Sequence, residues 1–296
     1  MSGSFYVNDH LMRFGGFKRE YSKSDFVLFG VPFDSTSSYR PGSRFGPAAI
    51  REASANIETW SWRTGIDFEE IKLHDLGDLA VVHGDVVETV RRVKETVEDI
   101  VLSKKIPVMI GGEHIITLGA LRGLRDSTVV SFDAHFDMRD EYLSNKLSHA
   151  CVMRRALEEF GVKNVVIVGA RATYKEEMEY IKKNDVRYIT SHQMKLVGPK
   201  ETGAWIKEIL SDSKKIYISV DMDVLDPAYA SGVGNPEPEG ISTSTLLDII
   251  GEIVDDRVSG FDVVEVVPTY DNGTTAVTAS KVIYEICCMI AKAIGL

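Results

Sequence analysis

A chain of 296 residues, 44% of them hydrophobic, has length for one large α/β domain or two small ones, and no linker-like or low-complexity stretch divides it, so a single domain over residues 1–296 is expected. Its formal net charge of -10 would repel a phosphate backbone, which argues against nucleic acid as a partner. No window approaches the ~20 apolar residues that span a bilayer, the first residues lack a basic, apolar leader, and three cysteines suit a reducing compartment: no membrane partner and a cytoplasmic location are expected.

From the N-terminus, an apolar run at 26–31 reads as a buried strand and is followed by a helix at 47–56 with Pro47 in its first turn. A strand at 72–75 precedes the clearest helix, 86–102, where Val86, Val90, Val93, Val97 and Val101 recur at steps of three and four among Glu, Arg and Lys. Strands at 107–110, 128–133, 164–169, 187–190, 216–221 and 262–267 then alternate with helices at 117–124, 150–160, 175–182, 201–210, 244–254 and 278–293. This alternation predicts an α/β fold, a three-layer α/β/α sandwich with a mainly parallel central sheet of about eight strands. A closed barrel is the architectural alternative, but the irregular stretch at 35–46 and the connection at 57–84 fit its regular repeat poorly. Either arrangement brings the ends at Ile110, Asp133, Asp221 and Val267 to one carboxyl-terminal face, where open sheets bind ligands.

That face gathers an acidic grammar. Asp133-Ala134-His135-Phe136-Asp137 ends one apolar run and Asp221-Met222-Asp223 ends another, while Gly111-Gly112-Glu113-His114 follows a third, its glycines permitting a tight turn. Crowded carboxylates repel one another and lose hydration, so such a cluster is tolerated chiefly when cations neutralise it. The set His114, Asp133, His135, Asp137, Asp221 and Asp223 offers two imidazoles and four carboxylates without a thiolate, a hard mixture that favours Mn(II) over Zn(II). Each motif alone has a plainer explanation, since an aspartate at a strand end also caps a turn; the combination points to metal. His10, His74, His83 and His192 lack such neighbours and read as surface or hydrogen-bonded residues. Cys151 lies two residues after His149 with no third orienting group in view, so it reads, like the adjacent Cys287 and Cys288, as a core thiol.

These motifs, together with Ser131-Phe132-Asp133-Ala134-His135-Phe136-Asp137, Ser219-Val220-Asp221-Met222-Asp223-Val224-Leu225-Asp226-Pro227, Val263-Val264-Glu265-Val266-Val267-Pro268 and Pro41-Gly42-Ser43-Arg44-Phe45-Gly46-Pro47, resemble in content and order the ureohydrolase family of arginases and agmatinases. The resemblance implies two Mn2+ per subunit: one held by His114, Asp133, Asp137 and Asp221, the other by Asp133, His135, Asp221 and Asp223, with Asp133 and Asp221 bridging. It further implies that a metal-bridging hydroxide attacks a guanidinium carbon, that Glu265 binds the guanidinium, that Asp137 passes a proton to the departing amine and that His149 shuttles protons. A homo-oligomer, trimer or hexamer, enters through the same resemblance.

Two places depart from the family pattern: Val267 stands where asparagine is common, and Ser231-Gly232-Val233-Gly234-Asn235-Pro236-Glu237 differs from the usual Gly-Thr-Gly-Thr-Pro-Glu-Pro loop. The segment after Asp137 reads Arg139-Asp140-Glu141-Tyr142 before Ser148-His149-Ala150, which resembles agmatinases, and acids there suit a substrate with a cationic tail. Arg139 and Lys146 offset part of that field, and a solvated charge run is the plainer alternative. The expectation is therefore agmatinase activity, agmatine giving putrescine and urea, as in polyamine synthesis. Arginase, guanidinobutyrase and aminopropylagmatine ureohydrolase are its alternatives within the family. From another class, a non-catalytic metal-binding regulatory subunit would have no need of His149 or Glu265, and a single-metal deacetylase-like enzyme would not require all six ligands.

Overall fold

The computed structural model describes residues 6–8 and 12–296, so His10 lies outside the described residues. Its strands are β1 (Val7–Asn8), β2 (Phe26–Val31), β3 (Trp60–Ser61), β4 (Ile66–Asp67), β5 (Leu73–Leu79), β6 (Ile106–Gly111), β7 (Thr128–Phe132), β8 (Val165–Ala170), β9 (Arg187–Thr190), β10 (Ile216–Asp221) and β11 (Val258–Val264). The helices are α1 (Gly46–Ser54), α2 (Val86–Leu102), α3 (Thr117–Leu124), α4 (Val152–Phe160), α5 (Lys175–Lys183), α6 (Ser191–Ile209), α7 (Thr243–Ile253) and α8 (Thr274–Ile294). A central sheet runs in the order β1-β5-β2-β6-β11-β10-β7-β8-β9. All its pairings are parallel except that of β1 with β5. The sheet is open, with β1 and β9 at its edges, so the barrel alternative falls.

The inner strands β2, β6, β7, β8 and β10 are largely apolar and buried because both of their faces are covered, whereas β5 alternates and the edge strand β9 is half-buried. Phe26 and Leu28, Val108 and Ile110, Val130 and Phe132 join one core with α1, α6, α7 and α8. Val27 and Phe29, Met109, Val129 and Tyr217 join the other with α2, α3 and α4. In α2 the predicted valine stripe delivers Val86, Val90, Val93 and Val97 to this second core, and Asp85 caps the helix by accepting a hydrogen bond from the Glu88 N–H.

Most boundaries hold or shift by a residue or two, α8 begins four residues before the expected 278, and other differences from the sequence reading are larger in consequence. The helix expected at 201–210 is preceded by a helical segment from Ser191, capped reciprocally by Thr190 and Gln193, and the two are joined within α6 across a break at Gly198, φ 80°. The last strand is Val258–Val264 rather than 262–267, which leaves Glu265 one residue beyond it. The strand expected at 72–75 continues to Leu79, and the 57–84 connection contains the small β3–β4 hairpin. Among the described residues no helix is long and apolar enough to cross a membrane.

Order and register place the site. The strands that carry the acidic and glycine motifs, β6, β11, β10 and β7, are four adjacent members at the centre of the sheet. Val220 lies level with Phe132 and with Val263, and Val263 with Ile110, so Asp133, Asp221, Val264 and Gly111 stand at one height and Glu265 follows one residue beyond.

Candidate active site

Each aspartate at a strand end does two things. Asp133 Oδ1 accepts the His135 N–H at 2.7 Å and Asp221 Oδ1 accepts the Asp223 N–H at 2.9 Å, closing a turn that sends the residue two positions on toward the same side. The remaining oxygens face one another's territory: His114 Nδ1 lies 3.2 Å from Asp133 Oδ2, 3.1 Å from Asp137 Oδ2 and 3.3 Å from Asp221 Oδ2. Turn-capping and ligand presentation are thus roles of the same side chain. His135 Nδ1 stands 3.0 Å from Asp223 Oδ2 and 3.7 Å from Asp133 Oδ1. Asp137 reaches the cluster from a left-handed backbone, φ 52°. His114, Asp133 and Asp221 form one grouping able to hold a metal ion, and Asp133, His135 and Asp223 another.

The donor chemistry fits a cation. Ser219 Oγ donates to buried Asp262 at 2.6 Å, so its oxygen receives the His114 Nε2–H at 3.0 Å. That leaves His114 Nδ1 with a lone pair aimed at three carboxylate oxygens, and neither it nor Asp133 Oδ2 has a hydrogen-bond partner although both are buried. An imidazole nitrogen facing three carboxylates calls for positive charge there, supplied either by a second ring proton, which against burial those carboxylates favour by raising His114, or by a metal ion. Two of the carboxyls register the same crowding, burial and the Asp133 charge pushing Asp137 up to about 7 and burial with Asp223 driving Asp221 well above the usual carboxylate range, while His114 and His135 hold Asp133 low against its burial.

The glycines of the His114 motif act differently from the tight turn expected. A β-carbon on Gly112 would collide with the Phe33 carbonyl, so glycine is needed for close approach of the two chains. Beyond it, Glu265 sits at φ 63°; its N–H donates to the Gly112 carbonyl at 2.9 Å, and its Oε1 accepts the His114 N–H at 2.8 Å. Burial and the neighbouring Glu113 carboxyl raise Glu265 strongly. His149 opens the turn before α4, with Nδ1 3.2 Å from Thr36 Oγ1 and Nε2 3.4 Å from Ser38 Oγ. Burial lowers its imidazole to about 4. All eight residues singled out in the sequence meet here, with His135, Asp137, His149, Asp221, Asp223 and Glu265 lining a cavity of about 240 Å³. Cys151 stays in the core, its thiol turned to the Asn145 carbonyl at 3.8 Å and raised by burial to about 11.

Residues 24–289 match the family described as the arginase family. The chain belongs to that family. It is 37% identical over 268 residues to the N(1)-aminopropylagmatine ureohydrolase of Thermococcus kodakarensis, covering 90% of each chain. It is also 37% identical over 276 residues to an agmatinase of Bacillus subtilis, covering 90% of this chain and 92% of the other. Its fold superposes on an agmatine ureohydrolase of Thermoplasma volcanium with a TM-score of 0.90 at 38% identity, over 97% of both chains. As a ureohydrolase it is a hydrolase acting on linear amidines.

The outer wall of this ureohydrolase's pocket corrects the charge reading of the 138–148 loop. Asp140 turns away to Arg155, 3.0 Å off, and Glu141 is exposed, so neither lines the cavity. The acids that do are Glu177 and Glu237, from segments distant in sequence. Arg139 also lines it, stacked against the rings of Tyr174 at 4.1 Å and Tyr142 at 4.8 Å. Val267 lies outside the lining and packs toward Gly42, whereas Asn235 and Glu237 of the divergent loop reach the pocket. Thr36, Ser38, Asp262 and Glu177 belonged to no motif, and Ser219 opened one without being singled out. Only Ser219 and Asp262 left a signal, as polar residues inside otherwise apolar strands.

Proposed function

We propose that this ureohydrolase binds two Mn(II) ions and hydrolyses agmatine to putrescine and urea. The observation that carries the reading is the cluster around His114 Nδ1 standing beside Glu265 in one small, acid-lined pocket. In this reading His114, Asp133, Asp137 and Asp221 would hold one ion and Asp133, His135, Asp221 and Asp223 the other, Asp133 and Asp221 serving both. When bound, the two cations supply the Lewis acidity that activates water at neutral pH. Glu265, with Oε1 engaged by the His114 N–H, keeps Oε2 for the guanidinium fork. Water adds to the guanidinium carbon, the C–N bond to the alkyl chain breaks, and Asp137 delivers the proton that the amine leaves with. His149, held between Thr36 and Ser38, exchanges protons with solvent. Replacing it, His149→Ala, should lower kcat by about two to four powers of ten while manganese content stays at the wild-type level. Restoration by added imidazole supports the relay, and unchanged turnover assigns the ring to structure.

The tail decides the substrate. Glu177 and Glu237 suit an ammonium, whereas the carboxylate of L-arginine would shed water beside two acids. That penalty, about 3 kcal/mol, corresponds to roughly two powers of ten in kcat/KM in favour of agmatine. Arg139 favours one competing reading, a carboxylate tail reaching its guanidinium edge. Comparing kcat/KM for agmatine, N(1)-aminopropylagmatine, L-arginine and 4-guanidinobutyrate on manganese-loaded enzyme separates these. A preference for either carboxylate-bearing compound overturns the cationic-tail reading, and a preference for the aminopropyl compound keeps it while lengthening the tail.

A further inference from the structure

Arg171, just past β8, belongs to none of the motifs above, yet its guanidinium gathers the backbone carbonyls of two loops that the site depends on. Nη2 donates to the Asp223 carbonyl at 2.7 Å, to Leu225 at 3.2 Å and to Glu237 at 2.9 Å. Nη1 donates to Val224 at 3.1 Å, and Nε to Pro238 at 2.9 Å. Its main chain completes a ring: the N–H groups of Arg171 and Ala172 donate to the Ala134 carbonyl at 2.8 and 3.0 Å, while the Ala134 N–H donates to Asp223 Oδ1 at 3.1 Å. One residue therefore ties the segment bearing His135, the segment bearing Asp223 and the pocket wall at Glu237.

Gly169 makes the approach feasible. Its backbone is left-handed, φ 106°, and a β-carbon there would press to 2.5 Å of the Val224 side chain and 3.1 Å of the Asp133 carbonyl. The His114 end of the cluster rests on a separate support, Ser219 and Asp262.

We propose that Arg171 is a positioning residue for the His135–Asp223 half of the metal centre and for the Glu237 wall of the pocket. A guanidinium spreads five N–H donors in a rigid plane and thereby fixes several carbonyls relative to one another, which a single ammonium does not do. The inference rests on the two-metal reading above, and its test keeps the two apart. Manganese binding to the purified full-length apo-protein is followed by the electron paramagnetic resonance of free Mn(II), for wild type, Arg171→Met and Arg171→Lys, beside thermal unfolding of each apo-protein. Wild type that takes up a single equivalent removes the two-metal reading itself. With two equivalents in wild type, both variants should retain one site of wild-type affinity and show the second weakened by about 10–100-fold. Agmatine KM should rise as well, because the Glu237 wall loses its tether. Two sites of wild-type affinity in Arg171→Met overturn the proposal, as does equal weakening of both sites with a matching loss of apo stability. Full recovery in Arg171→Lys also overturns it, by assigning the effect to charge alone. Should Arg171→Met not fold, the lysine variant decides by the same readout.

Discussion

Glu265→Gln is expected to lower kcat/KM for agmatine by at least three powers of ten while leaving manganese content and fold in place. A carboxylate gripping a guanidinium makes two charge-assisted hydrogen bonds, each worth about 1.5–3 kcal/mol, so the pair contributes roughly 3–6 kcal/mol, or about two to four powers of ten. The structure pushes the result toward the upper end. Because the His114 N–H donates to Oε1 at 2.8 Å, the amide of the variant must place its oxygen there, which leaves its NH₂ facing the pocket. A donor then confronts the donors of the substrate. If the grip tightens as charge redistributes in the transition state, kcat falls along with kcat/KM. Steady-state kinetics beside metal analysis checks this, and wild-type turnover by Glu265→Gln would make the residue a strut for the His114 turn.

The second large effect concerns the shared aspartates. Asp133→Asn and Asp221→Asn each retain the Oδ1 acceptor that closes the turn to residue 135 or 223, yet each replaces an anionic oxygen 3.2 or 3.3 Å from His114 Nδ1 by a neutral group. Metal content at micromolar manganese should drop from two equivalents toward none, and urea release should vanish with it. Affinity should fall by more than the about 10–100-fold typical of a lost supporting partner, since these oxygens are proposed to contact both ions directly. His114→Ala and His135→Ala should weaken one site each. Loading the wild-type apo-protein should raise its Tm, by about 2.7 kcal/mol of stabilisation per site at roughly a hundredfold excess over Kd. An Asp133→Asn protein that still binds two ions tightly would end the bridging assignment.

Much of this molecule was legible from local pattern. Strands β2 and β10 and helices α2 and α3 fall where periodicity placed them, because a strand covered on both faces is largely apolar and an amphipathic helix must repeat at three and four. Where a local signal was masked, as by Gly198–Pro199 inside α6, the boundary was lost. The six ligand-type residues were readable because each follows a strand in a compact motif whose chemistry is carried by side-chain type, whereas Glu265 and His149 were reached only through the resemblance to the ureohydrolase family.

Tertiary structure decided what depends on distance. Only the insertion of β11 and β10 between β6 and β7 makes neighbours of motifs that the chain separates, and only register puts their ends at one height. The charge of the pocket mouth belongs to the same class: Asp140 and Glu141 looked like its acids, but backbone direction turns them to arginine and solvent, while Glu177 and Glu237 arrive from elsewhere. What the supports of the site do is invisible in sequence for a related physical reason, even where a polar residue in an apolar strand marks their place. A serine receiving an imidazole N–H, a buried aspartate accepting three hydroxyls, or an arginine collecting main-chain carbonyls recognises geometry, and backbone carbonyls have no letter in the sequence.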